Sequence, residues 1–287
     1  MLVFQVNTAA PEGADILVED DLLKGANNGV PWLVHMGWQG SYGGETPVPD
    51  GAVVSNMAGP DNSSVAVPFG QPIIAGGGLD FSTVDRSGTY LTIPPSVSTA
   101  IADAGQEFLV CLYLKLPLES EWAQIAGQAR TIFYFCDSGN YLTMPDILTI
   151  RLTGSGGVEQ ILAHRQTALG EFNALLAMSP LDPAAHGEVA QLAFWRDGEK
   201  EYFSMKTTPT GRITRSAAAG VDNFNAISGL TGKIGLTPTW PSPLSGQDLE
   251  TRKFRFYRGF VEIPSVSGRD PLAVLDEDWS RNIAEFG

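Results

Sequence analysis

The sequence predicts an all-β chain built as an antiparallel β-sandwich, with an irregular N-terminal arm and a short C-terminal helix. Three observations predict it. First, 32 glycines and 19 prolines in 287 residues favour many turns over long helices. Second, roughly eight to ten apolar strand-like runs follow one another from residue 68 without a strand–helix–strand rhythm. Third, Lys253–Asn282 reads as one long strand, a Ser-Gly turn and a capped helix.

In chain order, Leu2–Val6 is a short β-like start. The next fifty residues are broken by Asn27-Asn28-Gly29, Gly43-Gly44 and Pro47-Val48-Pro49, the composition of an irregular segment. Trp32, Met36, Trp38 and Tyr42 are scattered through it and need burial. They either pack on the chain's own domain or dock on a neighbouring subunit. Residues 1–64 are therefore read as an arm and 65–287 as the sandwich domain.

Beyond residue 68, Gly76-Gly77-Gly78 opens into Leu79-Asp80-Phe81, and Tyr90–Ile93 is a second short strand. Ser96–Asp103 reads as a helix stopped at Gly105. Glu107–Leu116 has apolar residues at both parities, which predicts a strand covered on both faces. Thr131–Cys136 is another buried strand, and Ile147–Leu152 alternates. Val189–Arg196, Asp197-Gly198 and Tyr202–Lys206 form a hairpin pattern, because Asp-Gly tolerates positive φ. Gln160–Leu169 and Asn173–Met178 fit strand or helix, Pro209–Asn225 reads as a polar loop, and Lys233–Thr237 as a short strand.

Lys253–Ile263 is the last strand; strict alternation puts Phe254, Phe256 and Phe260 on one face with Arg258 and Glu262. Asp270 is a candidate N-cap and Pro271 suits the first helical position, where an N–H has no partner to lose. Leu272, Leu275, Trp279, Ile283 and Phe286 recur at three- and four-residue steps and predict the buried face.

A formal charge of −14 repels phosphate and argues against a nucleic-acid partner. Cys111 and Cys136 sit inside apolar runs and read as buried thiols, which fits assembly in a reducing compartment. The start lacks the basic and long apolar regions of a secretory signal, and no segment approaches the ~18 uninterrupted apolar residues of a membrane span.

The order of several pieces resembles the concanavalin A-like lectin/glucanase superfamily, in particular its laminin-G-like jelly rolls. The pieces are GGGLDF…GTYLTIP, EFLVCLYLKL, VAQLAFWRDGEKEYF, KIGL and FRFYRGFVEI with a helix after it, over about residues 76–282. The ending, SGRDP and then an acidic helix with Asp278-Trp279, is similar to laminin-G-like proteins of tailed bacteriophages and prophages. The resemblance implies a jelly-roll sandwich and a virion component assembled in the host cytoplasm: a capsid decoration, or part of a tail, baseplate or fibre. Other virion proteins and further copies of the chain are its implied partners, a trimer being the expected oligomer.

The residues themselves carry little chemistry. Glycoside hydrolysis needs two carboxylates across the scissile bond, and the superfamily's glucanases place them on one strand in a Glu-x-Asp-x-Glu pattern. No strand here has it, and Asp276, Glu277 and Asp278 read as a solvated helix face. His35, His164 and His186 are far apart, and no Gly-x-Ser-x-Gly accompanies them. No catalytic residue is assigned and the chain is expected not to be an enzyme, a glycoside hydrolase being the least favoured reading. Superfamily members often hold calcium at the sandwich rim, where Asp80, Asp85, Asp137 and Asp222 are candidates. No calcium-loop motif supports it, and no cofactor is expected. Trp122, Tyr141 and Trp240 fall in expected loops, where an aromatic ring suits a sugar or a protein partner. A carbohydrate-binding module for a host-surface glycan is the alternative reading.

Overall fold

A computed structural model describes residues 20–286 apart from 26, 68–69, 85–88, 123–128, 137–142, 156 and 236–253. Tyr141, Trp240, Asp85 and Asp137, named above, lie outside the described residues, as does the Leu2–Val6 start. Seventeen strands occur among the described residues. They are β1 (Trp32–His35), β2 (Ala52–Val54), β3 (Ser63–Ala66), β4 (Ile73–Ala75), β5 (Gly78–Asp80), β6 (Tyr90–Ile93) and β7 (Phe108–Lys115). There follow β8 (Ala129–Phe135), β9 (Leu148–Ser155), β10 (Val158–Ala168), β11 (Glu171–Phe172), β12 (Leu176–Met178), β13 (Val189–Arg196), β14 (Lys200–Thr207), β15 (Gly211–Ala218), β16 (Gly232–Gly235) and β17 (Arg255–Glu262). The helices are α1 (Pro95–Asp103), α2 (Glu119–Trp122), α3 (Pro264–Ser267) and α4 (Pro271–Asn282).

The strands form two antiparallel sheets packed as a β-sandwich. One runs β15-β14-β13-β7-β17-β5-β4, with β1 also on β17. The other runs β11-β10-β9-β8-β16-β6-β3-β2, with β12 on β10. β5 pairs with β17 at Arg255 and Phe256, and β1 pairs from Arg258 to Val261.

The segment expected to be an arm is part of this sandwich. β1 enters one sheet, β2 and β3 the other, and a boundary at residue 64 cuts through β3. Trp32, Met36 and Tyr42 are buried in the shared core. The Trp32 indole N–H donates to Ser63 Oγ at 2.9 Å, tying the two sheets. Trp38 is half-buried. Sequence patterning missed these strands because they are three or four residues long, too short for a period to show.

β7 is covered on both faces, as its composition predicts. Phe108, Val110, Leu112 and Leu114 face the other sheet. Leu109, Cys111 and Tyr113 face outward into a second apolar layer with Val274, Leu275 and Trp279 of α4. The helix starts as expected: Asp270 accepts from the Ala273 N–H at 2.8 Å and Pro271 opens the first turn. Its buried face differs. Leu272 is exposed, while Val274 and Asp278 are buried beside Leu275 and Trp279.

A bulge in β17 explains much of that difference. Phe256 pairs with Leu114 and Arg258 with Tyr113, so Tyr257 is the extra residue. One inserted residue exchanges the faces of everything after it. Phe254 and Phe256 enter the core between the sheets, whereas Phe260 packs in the outer layer under α4. Arg258 and Glu262 turn outward with it, and Arg258 meets Asp278 of α4 at 2.8 Å and Asp20 at 2.8 Å. The expected solvated face of Asp276, Glu277 and Asp278 therefore holds one sealed carboxylate. Asp278 has to face Arg258, and Asp276 pairs with Lys206 and Arg212.

The polar stretch Pro209–Asn225 is also not simply a loop. Its first half is β15, paired residue for residue with β14 from Lys200↔Ala218 to Thr207↔Gly211. Gln160–Leu169 and Asn173–Met178 resolve as strands, in β10 and β12.

Candidate interaction site

Five exposed apolar side chains gather at one rim of the sandwich. The β10–β11 turn brings Leu169 and Phe172, the segment after it brings Leu175, and loop 219–225 brings Val221 and Phe224. Phe224 is 78% exposed and Val221 54%. Two hydrogen bonds join the segments: the Phe224 backbone N–H donates to Thr167 O at 2.9 Å, and the Asn173 side-chain Nδ2 donates to Ala218 O at 2.6 Å.

The loop stands on a buried polar base. Arg165 of β10 reaches across the sandwich, donating to Glu201 of β14 at 3.3 Å and to the carbonyls of Ala219 at 2.6 Å and Val221 at 2.8 Å. Asn223 exchanges hydrogen bonds with Gln106, donating its N–H to Oε1 at 2.8 Å and accepting from Nε2 at 3.1 Å. Gln166 Oε1 accepts from Asp146 N–H at 2.9 Å and from Asn225 Nδ2 at 3.1 Å. Arg196 holds Asp222 at 2.7 Å. Gly220 has φ +62, and a Cβ there would sit 2.0 Å from Asn173 Oδ1. Only glycine gives both that backbone and that clearance.

Electrostatics reflect this burial. Desolvation lowers the Arg165 pKa and raises that of Glu201 against the attraction between them. Asp146 is sealed in the same base, and burial raises its carboxyl to about 7 despite bonds from Thr149 and the Phe135 N–H. Burial lowers His164 to about 3, and its ring packs on Phe172 of the rim at 5.3 Å between centroids. Such a surface displays apolar side chains on a fixed backbone, the arrangement of a contact site.

The sequence-based candidates lie elsewhere. Trp122 is a correction: it ends helix α2, is fully buried and donates to Thr153 O at 3.3 Å. A buried ring cannot stack on a sugar from solvent. The three histidines occupy three separate places, each against an aromatic ring: His35 on Phe286, His164 on Phe172, His186 on Trp122. Asp80 is paired with Arg255 at 2.9 Å and Asp222 with Arg196. Among the described residues there is no cluster of three or more metal-ligating side chains. Sequence reading missed the rim, although one signal was there: Phe224 stands between asparagines in a polar run, and asparagine side chains fix turns.

No family model matches the chain, and no curated protein sequence matches it. Solved structures do resemble it in fold. The binding domain of botulinum neurotoxin serotype C1 superposes with a TM-score of 0.56 at 9% identity, over 88% of this chain and 52% of that one. The HCR/D mutant matches with a TM-score of 0.52 at 9% identity, over 89% and 54%. The CBM2 module of the evolved Dit of Lactobacillus casei BL23 phage J-1 is a more distant match, with a TM-score of 0.40 at 11% identity over 69% and 80%. The chain spans about half the length of the C1 binding domain and of HCR/D. At these identities the likeness is one of fold, a β-sandwich shared with binding domains.

Proposed function

We propose that this protein is a non-enzymatic structural component of a bacteriophage virion, acting through contacts with neighbouring copies and other virion proteins. The rim of Leu169, Phe172, Leu175, Val221 and Phe224 is the observation that carries the reading. An exposed apolar cluster on a rigid base suits a protein partner, and a neighbour would remove it from water. The phage setting is supported by the order of strand motifs and the SGRDP-helix ending. The non-catalytic part is supported by the commitment of buried carboxylates to arginines, as in Asp278–Arg258, Glu201–Arg165 and Glu262–Arg269. Mass spectrometry of purified particles, with light scattering of the isolated chain, tests it. The chain is expected in particles and as an oligomer; a monomer absent from particles overturns the reading.

A carbohydrate-binding module is the second reading. A cleft of about 220 Å³ lined by Asp80, Ser82, Lys115, Glu121 and Arg255 favours it, since these groups suit sugar hydroxyls. A glycan array checks it: hits weakened by Lys115→Ala support the module, and an array without hits removes it.

A further inference from the structure

Among the described residues the sheet ends in β15, an eight-residue strand paired with β14 on one side and with no strand on the other. Such an edge offers a row of peptide groups to any extended chain. Below it opens a cleft of about 350 Å³ between the two sheets, walled by Met178, Leu181, Pro183, Met205 and Ile213. Arg215 stands at this cleft as well. The register sets Ile213 opposite Met205 and Arg215 opposite Phe203, both buried between the sheets, so Arg215 belongs to the inward-facing set. It is nevertheless exposed, and no hydrogen bond or ion pair reaches it among the described residues. The strand's other cation is already engaged: Arg212 donates to Ser204, Gln191 and Asp276.

We propose that β15 and this cleft accept an extended segment of a partner protein in which an apolar and an acidic residue stand two positions apart and so share one face. The segment adds as a strand to β15, seats an apolar side chain in the methionine-walled cleft and sets a carboxylate on Arg215. Strand addition draws affinity from backbone hydrogen bonds and selectivity from side-chain pockets. An inward-facing arginine on an edge deters indiscriminate pairing. The same charge discriminates in favour of a partner that neutralises it. A second copy presenting its own β15 is a poor occupant, because it brings Arg212 and Arg215 against the same two charges. The inference goes beyond the virion reading and holds whatever particle or partner the rim serves.

The test uses the full chain and two labelled eight-residue peptides with threonine at every second position; the positions between carry valine and glutamate in turn in one peptide, and valine and lysine in turn in the other. Fluorescence anisotropy is expected to show the glutamate peptide binding about tenfold more tightly, with the order reversed in Arg215→Glu. Amide exchange should slow across Arg212–Ala217 when the glutamate peptide is bound. Arg215→Ala, which only shortens an exposed side chain, should abolish the preference and leave the urea midpoint unchanged. Failure of the glutamate peptide to bind, equal binding of both peptides, or exchange protection outside β15 overturns the proposal.

Discussion

Arg258 and Asp278 face each other at 2.8 Å beneath α4, both side chains sealed from solvent. Arg258 reaches that layer only because Tyr257 is bulged out of the β17–β7 register. Burial opposes the guanidinium charge, yet Asp278 and Asp20 hold its pKa above the ordinary arginine value. The pair joins the last strand to the last helix, with Asp20 bringing in the first described residue of the chain.

Arg258→Met leaves Asp278 buried without its partner. The expected loss is about 3–5 kcal/mol, read as a fall in urea midpoint. Arg258→Met combined with Asp278→Leu should recover part of that loss, because the uncompensated buried charge is gone. A double variant less stable than the single one contradicts this account.

Trp122→Ala should cost about 3–5 kcal/mol, the range for emptying a large aromatic site. The ring is fully buried, donates to Thr153 O and packs edge-on against His186. Thermal unfolding checks the loss. An unchanged transition would mean that the ring lies at the surface.

Asp146 makes stability fall as pH rises. Its carboxyl goes from an ordinary value of 3.8 to about 7 in the fold. A raised carboxyl stabilises the fold fully below 3.8, and that contribution is lost progressively as pH climbs to about 7. His164 acts oppositely: lowered from 6.5 to about 3, it costs stability as pH falls below 6.5. Asp146→Asn should therefore steepen the gain in stability between pH 4 and 6.5, and His164→Gln should turn it towards a decline. Urea titrations of the two variants at pH 4, 5.5 and 7.5 check the signs.

Gly220→Ala should loosen the rim. Its φ is +62 and the added methyl meets the Asn173 amide, which also holds the Ala218 carbonyl. Faster amide exchange at Phe224, whose N–H is bound by Thr167, is the expected reading. Exchange at the β7 core should stay as it was.

Local signals carried the parts of this fold that depend on neighbours in sequence. Asp270 and Pro271 mark the start of α4, and Asp197-Gly198 marks the β13–β14 turn, where Asp197 accepts from the N–H groups of Glu199 and Lys200. What stayed hidden depends on tertiary register. Nothing in KFRFYRGFVEI marks Tyr257 as the residue to bulge, so alternation sent Phe260 into the wrong layer. Asp278 reads as surface until Arg258 lies under it. β15, GRITRSAA, has too few apolar residues to read as a strand, because most of one face is exposed. The rim is assembled from segments some fifty residues apart, and tertiary hydrogen bonds, those of Arg165, Gln166 and Asn223 among them, bring them together.

Incorporation of the chain into particles, compared for the natural sequence and for a Leu169→Ser, Val221→Ser, Phe224→Ser variant, tests the central claim most directly. All three side chains are exposed, so the urea midpoint should move little. The account predicts that the tagged natural chain is recovered in purified particles and that the folded variant is lost from them. Equal recovery of both would contradict it.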